Sequence, residues 1–334
     1  MTTAPRPTAV VLGADADEPL PGIEAIRDVM DLRFASDAPS LIAVLPGAEA
    51  LFLWRAPRGQ LEDAWDAAGD LEWIHTASAG VDTVLFPRLI DSDVVVTNAR
   101  GIYDPAIAEW AIGAMLAFAT GIHRSIVDQQ HRRWTSGRTT ERLAGSHVLV
   151  VGPGPIGRGT GTRALALGMH VTMMGRTSRP DDTFGAIVAS DRLVEVIGEA
   201  DFVLDALPLT ESTRSMFDAR AFAAMKPSAR FLNVGRGATV DEGALIDALT
   251  SGSIAGAALD VFETEPLPDD SSLWTMPSVI VSPHISGDAR GWERDVVDLF
   301  VRNARRWIEG EPMVNLVDKR AGHGASEPGD TSTE

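Results

Sequence analysis

The sequence predicts an α/β protein built from two doubly wound parallel sheets. Three observations carry that expectation. Val148–Val151 is an unbroken aliphatic run, the pattern of a strand buried on both faces of a parallel sheet. It leads directly into Gly152, Gly154 and Gly157, spaced G-x-G-x-x-G, and then into a helical stretch, Ile156–Leu167. Short apolar runs and helical patterns alternate along most of the rest of the chain.

Taken in order, Thr8–Ala14 reads as a first strand, and strand-like runs recur at Ala50–Trp54, Trp73–Thr76 and Val94–Thr97. Gly22–Met30 and Gln60–Ala67 read as helices between them. Residues 1 to about 100 therefore form one small α/β domain. Asp104–Ala119 is expected to be helical, with Asp104 as N-cap and Pro105 in the first helical position. Gly121–Glu141 is polar and rich in arginine, a solvated face or an interface arm. From 147 onward six strands are expected, at 147–151, 170–174, 201–206, 229–234, 255–259 and 278–282. Six fill a doubly wound sheet. Asp241–Thr250 and Ala289–Glu309 read as helices, and the tail from about 318 has the composition of a disordered segment.

Composition narrows the function. The 334 residues suffice for two domains, and 45% of them are hydrophobic. There is no cysteine, which excludes disulfides and thiolate metal sites and fits a reducing, cytoplasmic setting. The N-terminus lacks the basic-then-apolar build of a signal peptide. The weakly polar run Ala106–Ile122 is 17 residues long and contains Glu109, so it reads as a buried helix rather than a membrane span. A net charge of −18 makes nucleic acid and anionic lipid poor partners. An anionic substrate must be held by local positive groups.

The glycine motif supplies one such place. Gly152 allows a tight turn, Gly154 lets the backbone approach a pyrophosphate, and Gly157 lets helix and strand pack closely. The helix N-terminus, at Pro155 and Ile156, then offers backbone N–H groups and a partial positive charge to phosphates. In open α/β sheets ligands sit outside the carboxyl ends of the strands. Reading those ends gives Gly235-Arg236-Gly237 after FLNV, Asp260 and then Glu265 after AAL, and Pro283-His284 with Ser286-Gly287 after VIVS. Arginine grips a carboxylate through two parallel hydrogen bonds. Histidine moves a proton near neutral pH, and glutamate fixes its tautomer and favours its charged form. Together these are the parts needed to reduce a 2-keto acid. Ala79-Gly80-Val81-Asp82 follows a strand and, by spacing alone, reads as an ordinary turn.

These motifs resemble the D-isomer-specific 2-hydroxyacid dehydrogenases, in particular the glyoxylate/hydroxypyruvate reductase-like, NADP-preferring members. The matching pieces are LAGSHVLVVGPGPIG (143–157), ALPLTEST (206–213), NVGRGATVDEGAL (233–245), GAALDVFETEPLP (256–268) and SPHISG (282–287). Weaker echoes lie at SAGVD (78–82), TNARG (97–101), AIAEW (106–110) and GEPMVNLVD (310–318). The resemblance implies a Rossmann cofactor domain, 102–287, inserted into a flavodoxin-like substrate domain formed by 1–101 and 288–334. It implies Arg236, Glu265 and His284 as the catalytic set. Leu207, Pro208, Thr213, Val234, Gly235, Ser286 and Gly287 would line the cofactor, with Asp260 at the nicotinamide carboxamide. Ala79 and Gly80 would bind the substrate carboxylate through backbone N–H groups, which reverses the reading from spacing; Tyr103 would line the pocket or simply pack. It also implies a homodimer through the inserted domain, with 119–145 in the contact.

Two departures from the pattern stand out. NAD-preferring members carry an acid after the second cofactor-domain strand, where it binds the ribose diol and repels a 2′-phosphate. Here that position is Gly175, followed by Arg176, Thr177, Ser178 and Arg179, which points to NADP, with NAD as a lesser cofactor. The other departure is Gly159 and Gly161 inside the helix of the glycine loop, each costing about 1 kcal/mol against alanine. The expected protein is an NADP(H)-dependent reductase of small 2-keto acids that needs no metal. The rivals are a dinucleotide-sensing, corepressor-like binding protein on the same fold and a formate-oxidising relative. The latter pairs its histidine with glutamine, so Glu265 speaks against it.

Overall fold

The computed structural model describes residues 6–15, 17, 20–320 and 323–324. The chain divides into two compact units, Met1–Tyr103 with Ala289–Glu334, and Asp104–Asp288.

The first unit is a five-stranded parallel sheet of β1 (Thr8–Leu12), β2 (Asp31–Ala35), β3 (Ala50–Leu53), β4 (Trp73–Thr76) and β5 (Val95–Asn98), in the order β2-β1-β3-β4-β5. The two-residue period of a strand divides its side chains between two cores. Val10 and Leu12 of β1, with Leu51 and Leu53 of β3, pack under the helices Ala38–Val44, Gln60–Asp63 and Pro87–Ile90. Ala9, Val11 and Phe52 face the other way. There the helix Trp292–Ile308 returns from the far end of the sequence and lays Val296, Val297, Phe300 and Ala304 on the sheet. Phe300 is fully buried, stacked on Phe52 at 4.4 Å and on Trp73 at 5.3 Å. Beyond that helix the chain covers β5. Asn315 donates to the carbonyls of Asn98 and Arg100, and the Lys319 ammonium donates to those of Leu89, Ser92 and Val94. A covered edge cannot recruit a foreign strand.

The second unit holds an eight-stranded sheet: β6 (His147–Val151), β7 (His170–Gly175), β8 (Arg179–Asp181), β9 (Gly185–Ala189), β10 (Phe202–Asp205), β11 (Arg230–Asn233), β12 (Gly256–Leu259) and β13 (Val279–Val281). The order is β13-β12-β11-β10-β6-β7-β9-β8, and every pairing but β8–β9 is parallel. Direction therefore reverses between β6 and β10, the switch point at which such sheets bind ligands. The helix Asp104–Thr120 buries Ala108, Ala111, Met115 and Phe118 on one face of this sheet. The expectation of a buried helix there holds. No single helix among the described residues is long and apolar enough to cross a membrane; the bent pair Asp104–Thr120 and Ile122–Gln130 reaches that length only across a 71° break.

Several elements depart from the expectation. Gly22–Met30 is not a helix; only Ile23–Ile26 forms a 3₁₀ turn. Ile23, Ile26 and Met30 are fully buried, so the apolar spacing is genuine, but the chain must enter β2 at Asp31. β2 itself, with exposed Asp31 and Arg33, lacks the apolar run that marks its neighbours. The cofactor-type sheet has eight strands rather than six. β9 fills the third place beside β7, and β8, carrying Pro180, folds back along its edge, where a proline is tolerated. The tail expected to be disordered from about 318 lies largely outside the described residues. Within it, Val317–Asp318 (β14) pairs antiparallel with His323–Gly324 (β15).

Phe300→Ala should remove about 3–5 kcal/mol of stability, the cost of truncating a buried aromatic ring. Urea unfolding followed by tryptophan fluorescence measures it. A loss under 1 kcal/mol would mean that the C-terminal helix is not part of this core.

Candidate active site

The glycine loop leaves β6 at the switch point. Gly152 has φ +112°, and a Cβ there would fall 2.5 Å from the carbonyl oxygen of Ala206, in the loop after β10. A Cβ on Gly157 would sit 1.9 Å from the carbonyl oxygen of Gly152. Both positions are closed to any side chain by backbone alone. Gly154 is different: it caps the helix Pro155–Ala166 in extended conformation, and a Cβ there meets nothing within 4 Å. Packing does not require this glycine. It leaves the backbone bare beside the first helical turn around Ile156, whose N–H groups have no intrahelical acceptor. Such a cradle fits a pyrophosphate.

The other two glycines of that helix acquire a physical account. A Cβ on Gly159 would lie 3.3 Å from the Ala108 Cβ, so this glycine sets the approach of two helices. A Cβ on Gly161 would lie 2.9 Å from the ring of Phe184, which comes over from the β8–β9 hairpin. Arg158 pins the same hairpin by an ion pair with Asp181 and by stacking 5.7 Å over Phe184. Gly175, where an acid would mark NAD preference, is also a packing position: its Cβ would meet Pro153 at 2.8 Å. Arg176 and Thr177 follow it on the exposed surface, the Ser178 hydroxyl accepts the N–H of Ala189, and half-buried Arg179 opens β8.

Across the switch, Leu207 and Pro208 follow β10, and Thr213 closes their loop by donating to the Pro208 carbonyl at 2.7 Å. Val234 is buried, and Gly235 lies so close to Leu207 that a Cβ would fall 2.6 Å from its carbonyl oxygen.

Arg236, Glu265 and His284 follow β11, β12 and β13. Asn233 orders the first of these loops: its Oδ1 accepts the N–H of Gly235 and its Nδ2 donates to the Arg236 carbonyl. His284 Nδ1 lies 2.7 Å from Glu265 Oε2, and Glu265 Oε1 accepts the N–H of Phe262 at 3.0 Å. The hydrogen bond to Glu265, reinforced by its charge, raises the His284 pKa above the usual imidazole value against burial and the Arg236 charge. Burial works against ionisation of Glu265, but hydrogen bonds from His284 and Phe262 and the charges of His284 and Arg236 outweigh it, so its pKa is lowered. His284 has φ +55°, uncommon for a residue other than glycine though more accessible to histidine than to most. The loop around it is tied down by Asp260. This carboxylate is buried and accepts the Ser282 hydroxyl at 2.6 Å, the Ile285 N–H at 3.0 Å and the Ser286 N–H at 3.0 Å. Both oxygens of Asp260 are thus engaged by the loop that presents His284 and runs on to Gly287. Sequence reading assigned Asp260 to the cofactor amide and missed this role.

Ala79, Gly80 and Tyr103 belong to the other unit. The Ala79 carbonyl accepts from Asn98 Nδ2 at 2.6 Å and the Gly80 carbonyl from the Ser78 hydroxyl at 2.6 Å. A trans peptide points its N–H opposite to its carbonyl, so these bonds aim the N–H groups of Gly80 and Val81 the other way. The Tyr103 hydroxyl donates to the Ala77 carbonyl at 2.6 Å and its ring lies 5.8 Å from Trp292. Tyr103 therefore braces this loop. Among the described residues no cluster of three or more acidic or histidine side chains is arranged to hold a metal ion.

A dinucleotide-type sheet with a hydrogen-bonded histidine–glutamate pair at its strand ends is the kind of site a nicotinamide-dependent oxidoreductase uses. Residues 112–286 match the family described as D-isomer specific 2-hydroxyacid dehydrogenase, NAD binding domain, and the chain belongs to that family. It is 32% identical over 259 residues to a hydroxypyruvate reductase of Thermotoga maritima, covering 77% of this chain and 83% of that protein. It is 32% identical over 265 residues to a glyoxylate reductase of Thermococcus gammatolerans, covering 77% and 79%. Among solved structures, an NADPH-dependent glyoxylate/hydroxypyruvate reductase from Sinorhizobium meliloti, in complex with NADP and malonate, superposes with a TM-score of 0.81 at 26% identity over 97% of this chain and 100% of that one.

Glu265→Gln should lower the His284 pKa relative to the wild type, because the carboxylate charge that opposes burial and the Arg236 charge is then lost. An NMR titration of the imidazole reads this directly. An unchanged midpoint would show that Glu265 does not tune His284.

Proposed function

We propose that this protein is a cytoplasmic NADPH-preferring reductase that converts small 2-keto acids to D-2-hydroxy acids. The observation that carries this reading is the 2.7 Å bond between His284 and Glu265, both of which feel the charge of Arg236. The dinucleotide is held by the unit 104–288: its pyrophosphate at Gly154, Pro155, Ile156 and Gly157, its remainder along Leu207, Pro208, Val234, Gly235, Ser286 and Gly287. When bound, NADPH supplies a hydride to the keto carbon. Arg236 grips the substrate carboxylate and polarises the carbonyl. The Gly80 and Val81 N–H groups support an extension of the expected carboxylate site at Ala79 and Gly80. His284 donates the proton to the carbonyl oxygen from its charged form, and Glu265 keeps that form populated and oriented. Reduction therefore falls as pH rises through the His284 pKa. His284→Ala and Arg236→Ala should each lower kcat/KM by roughly 10²-fold or more in steady-state assays of glyoxylate and hydroxypyruvate. Near-wild-type turnover by either purified variant would remove it from the mechanism.

Cofactor choice rests on Gly175 and on the exposed, basic turn Arg176–Arg179 that follows it. A guanidinium holding a 2′-phosphate contributes about 1.5–3 kcal/mol per charge-assisted bond, so NADPH should be preferred over NADH by about tenfold or more. Arg176→Ala should collapse that ratio mainly through KM for NADPH. Equal use of both cofactors by the wild type would exclude a phosphate site here.

The same reading includes a homodimer through the arm 119–145. Trp134 is 97% exposed, and Ile122 and Ile126 are more than half exposed on the adjoining helix. Asp128, paired with both Arg133 and Arg138, folds the arm against that helix. Surface of this kind fits a partner subunit.

A further inference from the structure

Asp205 ends β10 after Phe202, Val203 and Leu204 and is fully buried. Nothing in the mechanism above uses it. Val151 of β6 and Asn233 of β11 flank it in register. Gly235 presses on it so closely that a Cβ there would lie 3.2 Å from Oδ1. The Leu207 N–H donates to Oδ1 at 3.0 Å, and Thr239 Oγ1 meets Oδ2 at 2.5 Å. The charged residue in this surround is Arg236, and what it turns toward Thr239 is its backbone carbonyl. That carbonyl lies 2.5 Å from the same Thr239 Oγ1 and also receives the Thr239 N–H and the Asn233 amide.

The hydrogens can be counted. Thr239 Oγ1 makes two oxygen–oxygen contacts at 2.5 Å. Both fall within the O–H···O hydrogen-bond range. A hydroxyl carries one hydrogen, and the Arg236 carbonyl carries none. The second must come from Asp205. We propose that Asp205 carries a proton and that, while it does, the relay Asp205 Oδ2–H to Thr239 Oγ1–H to the Arg236 carbonyl positions the substrate-binding arginine. Its surroundings agree, since burial pushes the Asp205 pKa up to about 7 and only the hydrogen bonds from Thr239 and Leu207 act against this. Loss of the proton leaves one hydrogen for two contacts. One pair of oxygens must then separate, and the Arg236 backbone loses an anchor. Asp205 touches no reacting atom and is a positioning residue. The inference rests on the proposed role of Arg236 as the carboxylate grip.

The test compares wild type, Asp205→Asn and Thr239→Val, with kcat and KM for glyoxylate measured under saturating NADPH from pH 5.5 to 9. Asparagine offers its oxygen to the Leu207 N–H and its NH₂ to Thr239, reproducing the protonated acid at every pH. Wild-type kcat/KM should fall about tenfold more than that of Asp205→Asn between pH 6 and pH 8.5, with KM for glyoxylate rising. At pH 6 the two should agree within a factor of about two, while Thr239→Val should show a raised KM throughout. Identical pH profiles for wild type and Asp205→Asn, or a large loss in Asp205→Asn at pH 6, would overturn the relay. Carboxyl ¹³C NMR of aspartate-labelled wild type, free of substrate, checks the proton separately. A buried carboxyl titrating near 7 supports the inference, and titration of every aspartate below 5 refutes it. A carboxyl that titrates near 7 in a protein that turns over no 2-keto acid would leave the Asp205 proton standing and refute the reading of Arg236 instead.

Discussion

Three hydrogen bonds onto one buried carboxylate hold the reactive end of the large unit in place. Asp260 takes the Ser282 hydroxyl and the N–H groups of Ile285 and Ser286, and between these anchors His284 has a left-handed backbone conformation. These bonds tie down the chain on both sides of the residue. With that loop held, the imidazole meets Glu265, whose hydrogen bond and charge raise the His284 pKa. The geometry at the strand ends therefore depends on Asp260.

A similar division of labour runs through the nucleotide loop. Gly152 and Gly157 are required by backbone contacts, whereas Gly154 is spared by packing and left bare. Gly159 and Gly161 spend helix propensity, about 1 kcal/mol each, on close approach to Ala108 and Phe184. Gly175 makes room for Pro153, so the missing acid at that position is also a steric fact. An acid at Gly175 would first require repacking Pro153.

Much of this was legible in the sequence. Val148–Val151 reads as a strand buried on both faces, because four consecutive aliphatic residues leave no polar side for water and the glycine turn follows at once. The glycine spacing, the capped helices and the apolar runs before Arg236, Asp260 and His284 located the sheet edge. What was missed had mixed signals. β2 alternates polar with apolar residues because it lies at an edge, and β8 contains a proline for the same reason. The run around Ile23 has helical spacing yet forms only a turn, since burial of Ile23, Ile26 and Met30 does not specify how the backbone reaches them.

The sequence by itself determined the α/β class, the parallel character of the sheets and the strand-end positions of Arg236, Glu265 and His284, because local patterning and strand-end position are written in consecutive residues. Tertiary structure alone decided the duties of Asp260, Asp205 and Thr239. The bond between Asp260 and Ser282 joins residues 22 positions apart, and that between Asp205 and Thr239 joins residues 34 apart. Hydrogen bonding is short-ranged and directional, so which donor meets which carboxylate is settled only when β10, β11, β12 and β13 lie side by side.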